Sequence, residues 1–154
     1  MLTKHFEEKL KSAADASHNI GACIRVQWQD RFLLLRRSSS DSYSGVYEMP
    51  GGSVDGPEEI EYAATRELFE ESGITALPEK LKPLGVFEFH NIETNKHKTK
   101  FAFTIKLDYK PEIKLSPDHD DFIFLTKGEI DNLPREGRDK KYVLWEDHYK
   151  MLSA

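Results

Sequence analysis

A mixed α/β fold in a single domain, residues 1–154, is what the sequence predicts, and three observations carry it. Short apolar runs bounded by turn residues recur along the chain. One segment of helical length is punctuated by Pro57 at its start and Gly73 at its end. No internal repeat, low-complexity linker or composition break divides the whole.

Residues 3–15 place Phe6 and Leu10 four apart among Lys and Glu, which predicts an amphipathic helix with a narrow apolar stripe. Asn19 to Trp28 is rich in Ile, Val and Ala, and Arg31 to Arg37 holds four apolar residues in succession. Two strands joined by a tight turn at Gln29-Asp30 fit both runs. Ser38 to Ser44 is a polar loop, and Tyr47-Glu48-Met49 is a short extended piece expected to end at Pro50-Gly51-Gly52. Pro57 to Ser72 reads as a helix with Pro57 in its first position and Gly73 as a left-handed cap. Leu84 to Phe89 and Lys100 to Leu107 are strands, the second with Phe101, Phe103, Ile105 and Leu107 in alternation. Asp121 to Leu125 adds another strand and Glu129 to Leu133 a helical turn. Tyr142, Trp145, Tyr149 and Leu152 recur at helical spacing near the end.

Composition bounds the function. The 154 residues are 38% hydrophobic and 32% charged, enough for a real core, and the longest apolar run, Phe32 to Leu35, is far from membrane-spanning length. Met1 to Lys11 has neither the apolar stretch nor the cleavage site of a secretory signal, so a cytoplasmic protein with no membrane partner is expected. Cys23 is the sole cysteine, which excludes an intramolecular disulfide, and between Ala22 and Ile24 it reads as a core thiol. A net charge of −5, from 27 acidic and 22 basic side chains, argues against a nucleic-acid polymer as partner. An anionic small molecule would need local help, and a cation held by clustered carboxylates is one source of it.

That cluster sits on the helix after Pro57. At 100° per residue, Glu67, Glu70 and Glu71 fall within an arc of about 100°. Ala63 and Ala64 leave room one turn earlier. Like charges so placed repel, and Mg²⁺ or Mn²⁺ is their natural partner, because hard cations take carboxylate oxygens. The plainer alternative is a solvated face rich in a good helix former. Arg66 can pair with Glu70 under either.

From Gly52 the chain reads five residues, Glu58, seven residues, then Arg66-Glu67-Leu68-Phe69-Glu70-Glu71-Ser72-Gly73-Ile74. This 23-residue segment, 52–74, fills nine specified positions and resembles the complete signature box of the Nudix family. The entry from Tyr47 to Gly52 and the acidic stretch before the late strand resemble the family too. The resemblance implies a Nudix-type α/β/α sandwich with a mixed β-sheet between helices. It implies Glu67, Glu70 and Glu71 as metal ligands, Arg66 as the residue orienting one of them, and Glu58 in a supporting place. Gly52 and Gly73 would shape the two loops. The implied reaction is attack of water on phosphorus in a nucleoside diphosphate linked to another group, with Mg²⁺ or Mn²⁺ as cofactor. Nucleoside triphosphates, dinucleoside polyphosphates, nucleotide sugars and ADP-ribose all stay open as the small-molecule nucleotide substrate. In the family the general base is a box glutamate or an acid on another loop. Here the candidates are Glu67 and the segment Asp118, Asp120 and Asp121, where Asp replaces the frequent Glu and reaches less far.

Outside the box, Arg36 and Arg37 suit a phosphate, as Gly51 and Gly52 suit its close approach, although two charges at a strand end are equally ordinary. Lys96, His97, Lys98 and Lys100 form a basic stretch that would attract polyphosphate, or, more commonly for such lysines, protect an edge strand. Phe87, Phe89, Tyr47 and Phe103 can stack a base, a role set against the core positions aromatic residues more often fill. His119 is read as a surface histidine, with proton transfer as the alternative. Trp145 and Tyr149 most simply anchor the last helix. A non-catalytic Nudix-fold nucleotide-binding sensor is the competing function, and the presence of all three box carboxylates favours the enzyme.

Overall fold

The computed structural model describes residues 2–39, 43–91, 95–134 and 144–154. Helix α1 (Lys4–Asp15) is capped by the Thr3 hydroxyl, which accepts the Phe6 N–H at 3.2 Å. Phe6 anchors it, meeting the rings of Phe101 and Phe103 edge-on at 5.5 and 5.6 Å. Strands β1 (Asn19–Trp28) and β2 (Arg31–Arg37) follow at the expected bounds. They pair only beside their turn, Gln27 with Phe32 and Trp28 with Arg31, and then part.

Into the opening come β3 (Tyr47–Glu48), paired with β2, and β4 (Gly51–Ser53), paired with β1. The Pro50 carbonyl between them accepts the Ile24 N–H at 2.9 Å. The first extended piece thus ends before Pro50-Gly51-Gly52 as expected, and a second strand that the sequence did not suggest begins at Gly51. The glycines make a strand because without side chains they can lie against β1, where a Cβ on Gly51 would meet the Ala22 carbonyl oxygen at 2.5 Å.

Helix α2 (Ile60–Ser72) comes next, then β5 (Lys82–Asn91), β6 (Lys96–Leu107), β7 (His119–Thr126), α3 (Lys127–Asp131) and α4 (Glu146–Leu152). The seven strands form one sheet in the order β3-β2-β1-β6-β5, with β4 added on β1 and β7 on β2. The β1–β6 pair is parallel over ten residues, Asn19 with Lys98 through Trp28 with Leu107, and the other pairings are antiparallel.

Both faces are covered. Ile24, Val26, Leu33, Leu35, Phe101 and Phe103 face α1 and the Ile60, Ala63, Ala64 and Leu68 side of α2. Cys23, Leu34, Met49 and Ala102 face Ile130 of α3, Leu144 ahead of α4, and Leu152 of α4. This is the expected α/β/α sandwich, and burial on both sides explains the unbroken apolar run in β2. Burial also pushes the Cys23 thiol up to about 12, as befits a core position.

Some boundaries differ from expectation. α2 starts at Ile60 rather than Pro57, because the Glu58 carboxylate is engaged outside the helix by the Asp55 N–H (3.0 Å) and the Arg66 guanidinium (2.7 Å). β6 begins at Lys96, so the basic stretch belongs to a strand, and an interior one flanked by β1 and β5. The edge-protection reading of its lysines is thereby corrected. Within β6 the small residue Ala102 is as buried as Phe101 and Phe103, because the central strand is covered on both faces. Tyr142, and residues 40–42 of the polar loop, lie outside the described residues.

Candidate active site

The carboxylate face of α2 lies against β4, and its three glutamates meet different surroundings. Glu71 is buried, 7% exposed, and accepts the Gly51 N–H at 2.7 Å. Burial pushes its pKa up to about 9 against the pull of that N–H, and the negative charges of Glu48, Glu67 and Asp118 add to the rise. Glu67 is half-buried beneath Gly52, where a Cβ would stand 2.6 Å from its carboxyl carbon. Burial raises its pKa too, with Arg66 opposing. Glu70 is exposed at the rim.

Arg66 ties these groups together. It bonds Glu58 at 2.7 and 3.0 Å, the Ser53 carbonyl at 3.1 Å, Glu67 at 3.0 Å and Glu70 at 3.2 Å. Its pKa is raised, first by Glu58, whose own is lowered by the same contact. Gly73 closes the helix at φ +77°, its N–H bonded to the Phe69 carbonyl.

Behind Glu71 lies a chain that the motif did not reveal. His119, 4% exposed and therefore not the surface residue expected, stands between two carboxylates. Its Nε2 is 3.0 Å from Glu48 and its Nδ1 is 3.5 Å from Glu71, with no hydrogen-bond partner for Nδ1 among the described residues. Glu48 also accepts from Arg37 at 3.1 Å and from the Trp145 indole at 3.1 Å. Burial alone would raise Glu48, but His119, His148, Arg37 and Trp145 outweigh it and hold the carboxyl at about 2. Glu48, Glu71 and His119 each present a ligand atom within 4.8 Å of the others. Oxygen-rich donors on a face that resists negative charge, with an orphaned buried nitrogen beside them, fit a divalent cation.

The remaining candidates separate. Arg37 reaches the site and Arg36 does not: Arg36 bonds Asp120 at 2.7 Å and lies 3.8 Å from Asp121, at the exposed end of the β2–β7 pair. Asp118 stays close enough to Glu71 to repel it, and its carbonyl accepts the Ser38 N–H at 2.9 Å. Phe103 is core, whereas Phe89 is exposed and lines an outer cleft of about 230 Å³ with Tyr43 and Trp145.

Next to β4 on the other side is an inner cleft of about 160 Å³, lined by Gly51, Gly52, Arg37, Glu48, Lys98, Lys100 and His148. His148, buried, accepts the Met49 N–H on Nδ1 at 2.9 Å. Burial, then Lys100, pushes its pKa down to about 4, so it is neutral at physiological pH. Glu48, His119, Lys98 and His148 were not legible as partners. They sit on β3, β7, β6 and α4, which come together only in the folded chain, although a Glu inside the Tyr47–Gly52 entry was a signal within reach.

Comparisons with known proteins agree with this fold. A family model described as NUDIX domain matches residues 18–145. An ADP-ribose pyrophosphatase of Methanocaldococcus jannaschii is 27% identical over 124 residues, covering 77% of this chain and 70% of that protein. A human diphosphoinositol polyphosphate phosphohydrolase 3-beta is 38% identical over 132 residues, covering 86% of this chain and 66% of the relative, so the match spans just under two thirds of its length. The crystal structure of a MutT protein from Methanosarcina mazei superposes with a TM-score of 0.71 at 23% identity, covering 88% and 91% of the two chains.

Proposed function

The chain belongs to the Nudix hydrolase family, and from that premise we propose that it hydrolyses, with a divalent cation, the diphosphate linkage of a nucleoside diphosphate joined to another group. The observation that carries the proposal is the carboxylate face of α2, with Glu67 and Glu71 packed against Gly51-Gly52 and Glu70 at the rim. Those three carboxylates would hold Mg²⁺ or Mn²⁺. When bound, the ion lowers the pKa of attacking water and offsets charge on the phosphate oxygens.

The chain's own residues do the rest. The Gly51 N–H fixes one oxygen of Glu71, and His119 stands 3.5 Å from the other. Arg66 aims Glu67 and Glu70, and Glu58 holds Arg66 in place. The absence of a side chain at Gly52 lets a phosphate approach Glu67. The proton of the attacking water passes to Glu67 or to Asp118. Asp121 lies 3.8 Å from Arg36 at the exposed end of the β2–β7 pair. The outer cleft of Phe89, Tyr43 and Trp145 offers aromatic faces to a base.

The substrate set includes nucleoside triphosphates, dinucleoside polyphosphates, nucleotide sugars and ADP-ribose, and the human relative's name adds diphosphoinositol polyphosphates. A hydrolysis screen over these classes with Mg²⁺, reading products by chromatography, tests the proposal and identifies the phosphorus attacked. Turnover of at least one class is expected. Binding without turnover across the set would favour a non-catalytic sensor instead.

A further inference from the structure

Lys98 and Lys100 are two residues apart on β6, so their side chains leave the same face of the sheet, while Thr99 and Phe101 are buried on the other. Across the parallel register lies Gly21 of β1, paired with Lys100. A Cβ there would meet Lys98 Cε at 2.7 Å, Lys100 Cγ at 3.5 Å and the Gly52 carbonyl oxygen at 3.3 Å. The glycine thus clears a path along which both stems reach the inner cleft beside Gly51 and Gly52.

The two cations are not equally committed. Lys100 lies 3.5 Å from the Asp147 carboxylate and over the Phe87 ring at 5.5 Å. Lys98 has no ion-pair partner among the described residues, and it is half-buried. Burial, reinforced by Lys100, lowers its pKa, and the more distant negative charges of Glu48 and Glu67 only partly offset that. β6 is interior, so protection of an edge does not explain the pair. The carboxylates of α2 lie on one side of the Gly51-Gly52 strand and these ammonium groups line the cleft on its other side.

We infer that Lys98, seconded by Lys100, is a specificity-determining residue that binds a phosphate of the substrate beyond the anhydride being split. The inference rests on the hydrolase reading and deepens it. The enzyme then prefers a substrate carrying a third phosphate, on a polyphosphate chain or a phosphorylated ring, to ADP-ribose and nucleotide sugars, which carry two.

The test compares wild type with Lys98→Met, which keeps the stem without the charge, and Lys98→Arg, which keeps the charge. The readout is kcat/KM for a dinucleoside tetraphosphate and for a diphosphoinositol polyphosphate, each divided by that for ADP-ribose. Lys98→Met should lower one or both ratios at least tenfold through KM, and Lys98→Arg should hold them within threefold of wild type. The ratio that falls identifies which source of the third phosphate the cleft takes. Ratios unchanged in Lys98→Met, or lowered alike in both variants, would overturn the inference. Should wild type hydrolyse none of the three with Mg²⁺ or Mn²⁺, the ratios are undefined, and the hydrolase reading itself fails only if nucleoside triphosphates and nucleotide sugars are left intact as well. Calorimetric binding of inorganic tripolyphosphate in chelator then decides: at least tenfold weaker binding to Lys98→Met supports the subsite, and equal binding refutes it.

Discussion

Glu70 and Glu71 are neighbours in sequence with opposite surroundings, one exposed and one buried against Gly51, and their substitution should separate accordingly. Glu70→Gln and Glu71→Gln should each lower turnover by orders of magnitude while circular dichroism stays native. In chelator, Glu71→Gln should melt no lower than wild type, because a neutral side chain suits that buried position. A fall of many degrees would show that the ionised carboxylate supports the fold. Asp118→Asn should depress kcat far more than metal affinity if Asp118 takes the proton. A near wild-type kcat would leave Glu67 as the base.

His148 gives a pH-dependent test at the same scale. Its folded pKa of about 4 lies below the ordinary value near 6.5, so between those values the unfolded chain binds a proton that the native state refuses. Its contribution is complete above pH 6.5 and lost as pH falls towards 4, on the order of 3 kcal/mol. His148→Asn keeps an acceptor for the Met49 N–H without the titration. The stability difference between wild type and this variant should therefore narrow from pH 7 to pH 4 in denaturant titrations. A constant difference would contradict the buried, neutral histidine.

At the scale of elements, α2 and β4 act as one unit. Gly52→Ala would push a methyl group into the Glu67 carboxylate, the mobile end of a side chain. The expected result is a small change in stability and metal binding weakened at least tenfold by calorimetry. Gly73→Ala instead forces an alanine to φ +77° and crowds Lys114, for a loss of about 1 to 2 kcal/mol in chemical unfolding. α2 was legible in the sequence because its spacing, its glycine cap and its carboxylates lie within one continuous segment. Even there, the true start at Ile60 was hidden by the Arg66 contact with Glu58, which is tertiary. Glu48 was illegible for the same reason, and His119 and Lys98, although each was weighed for a functional role, could not be separated from ordinary surface residues. Each gains its meaning from a partner on a strand distant in sequence, as Lys98 does from Gly21 through the parallel β1–β6 register.

For the whole molecule, the parting of β1 and β2 turns a layered α/β fold into a site. It admits β3 and β4, brings the acidic face of α2 to the Gly51-Gly52 strand, and leaves the basic cleft on the other side. A net charge of −5 opposes an anionic substrate, and a bound cation together with the two lysines would offset it at such a place. The most direct measurement is the rate of hydrolysis of the best substrate from the screen as Mg²⁺ is removed by chelation and then restored. The carboxylate site predicts that turnover disappears in excess chelator and returns with added Mg²⁺ or Mn²⁺. Undiminished turnover in chelator would contradict it.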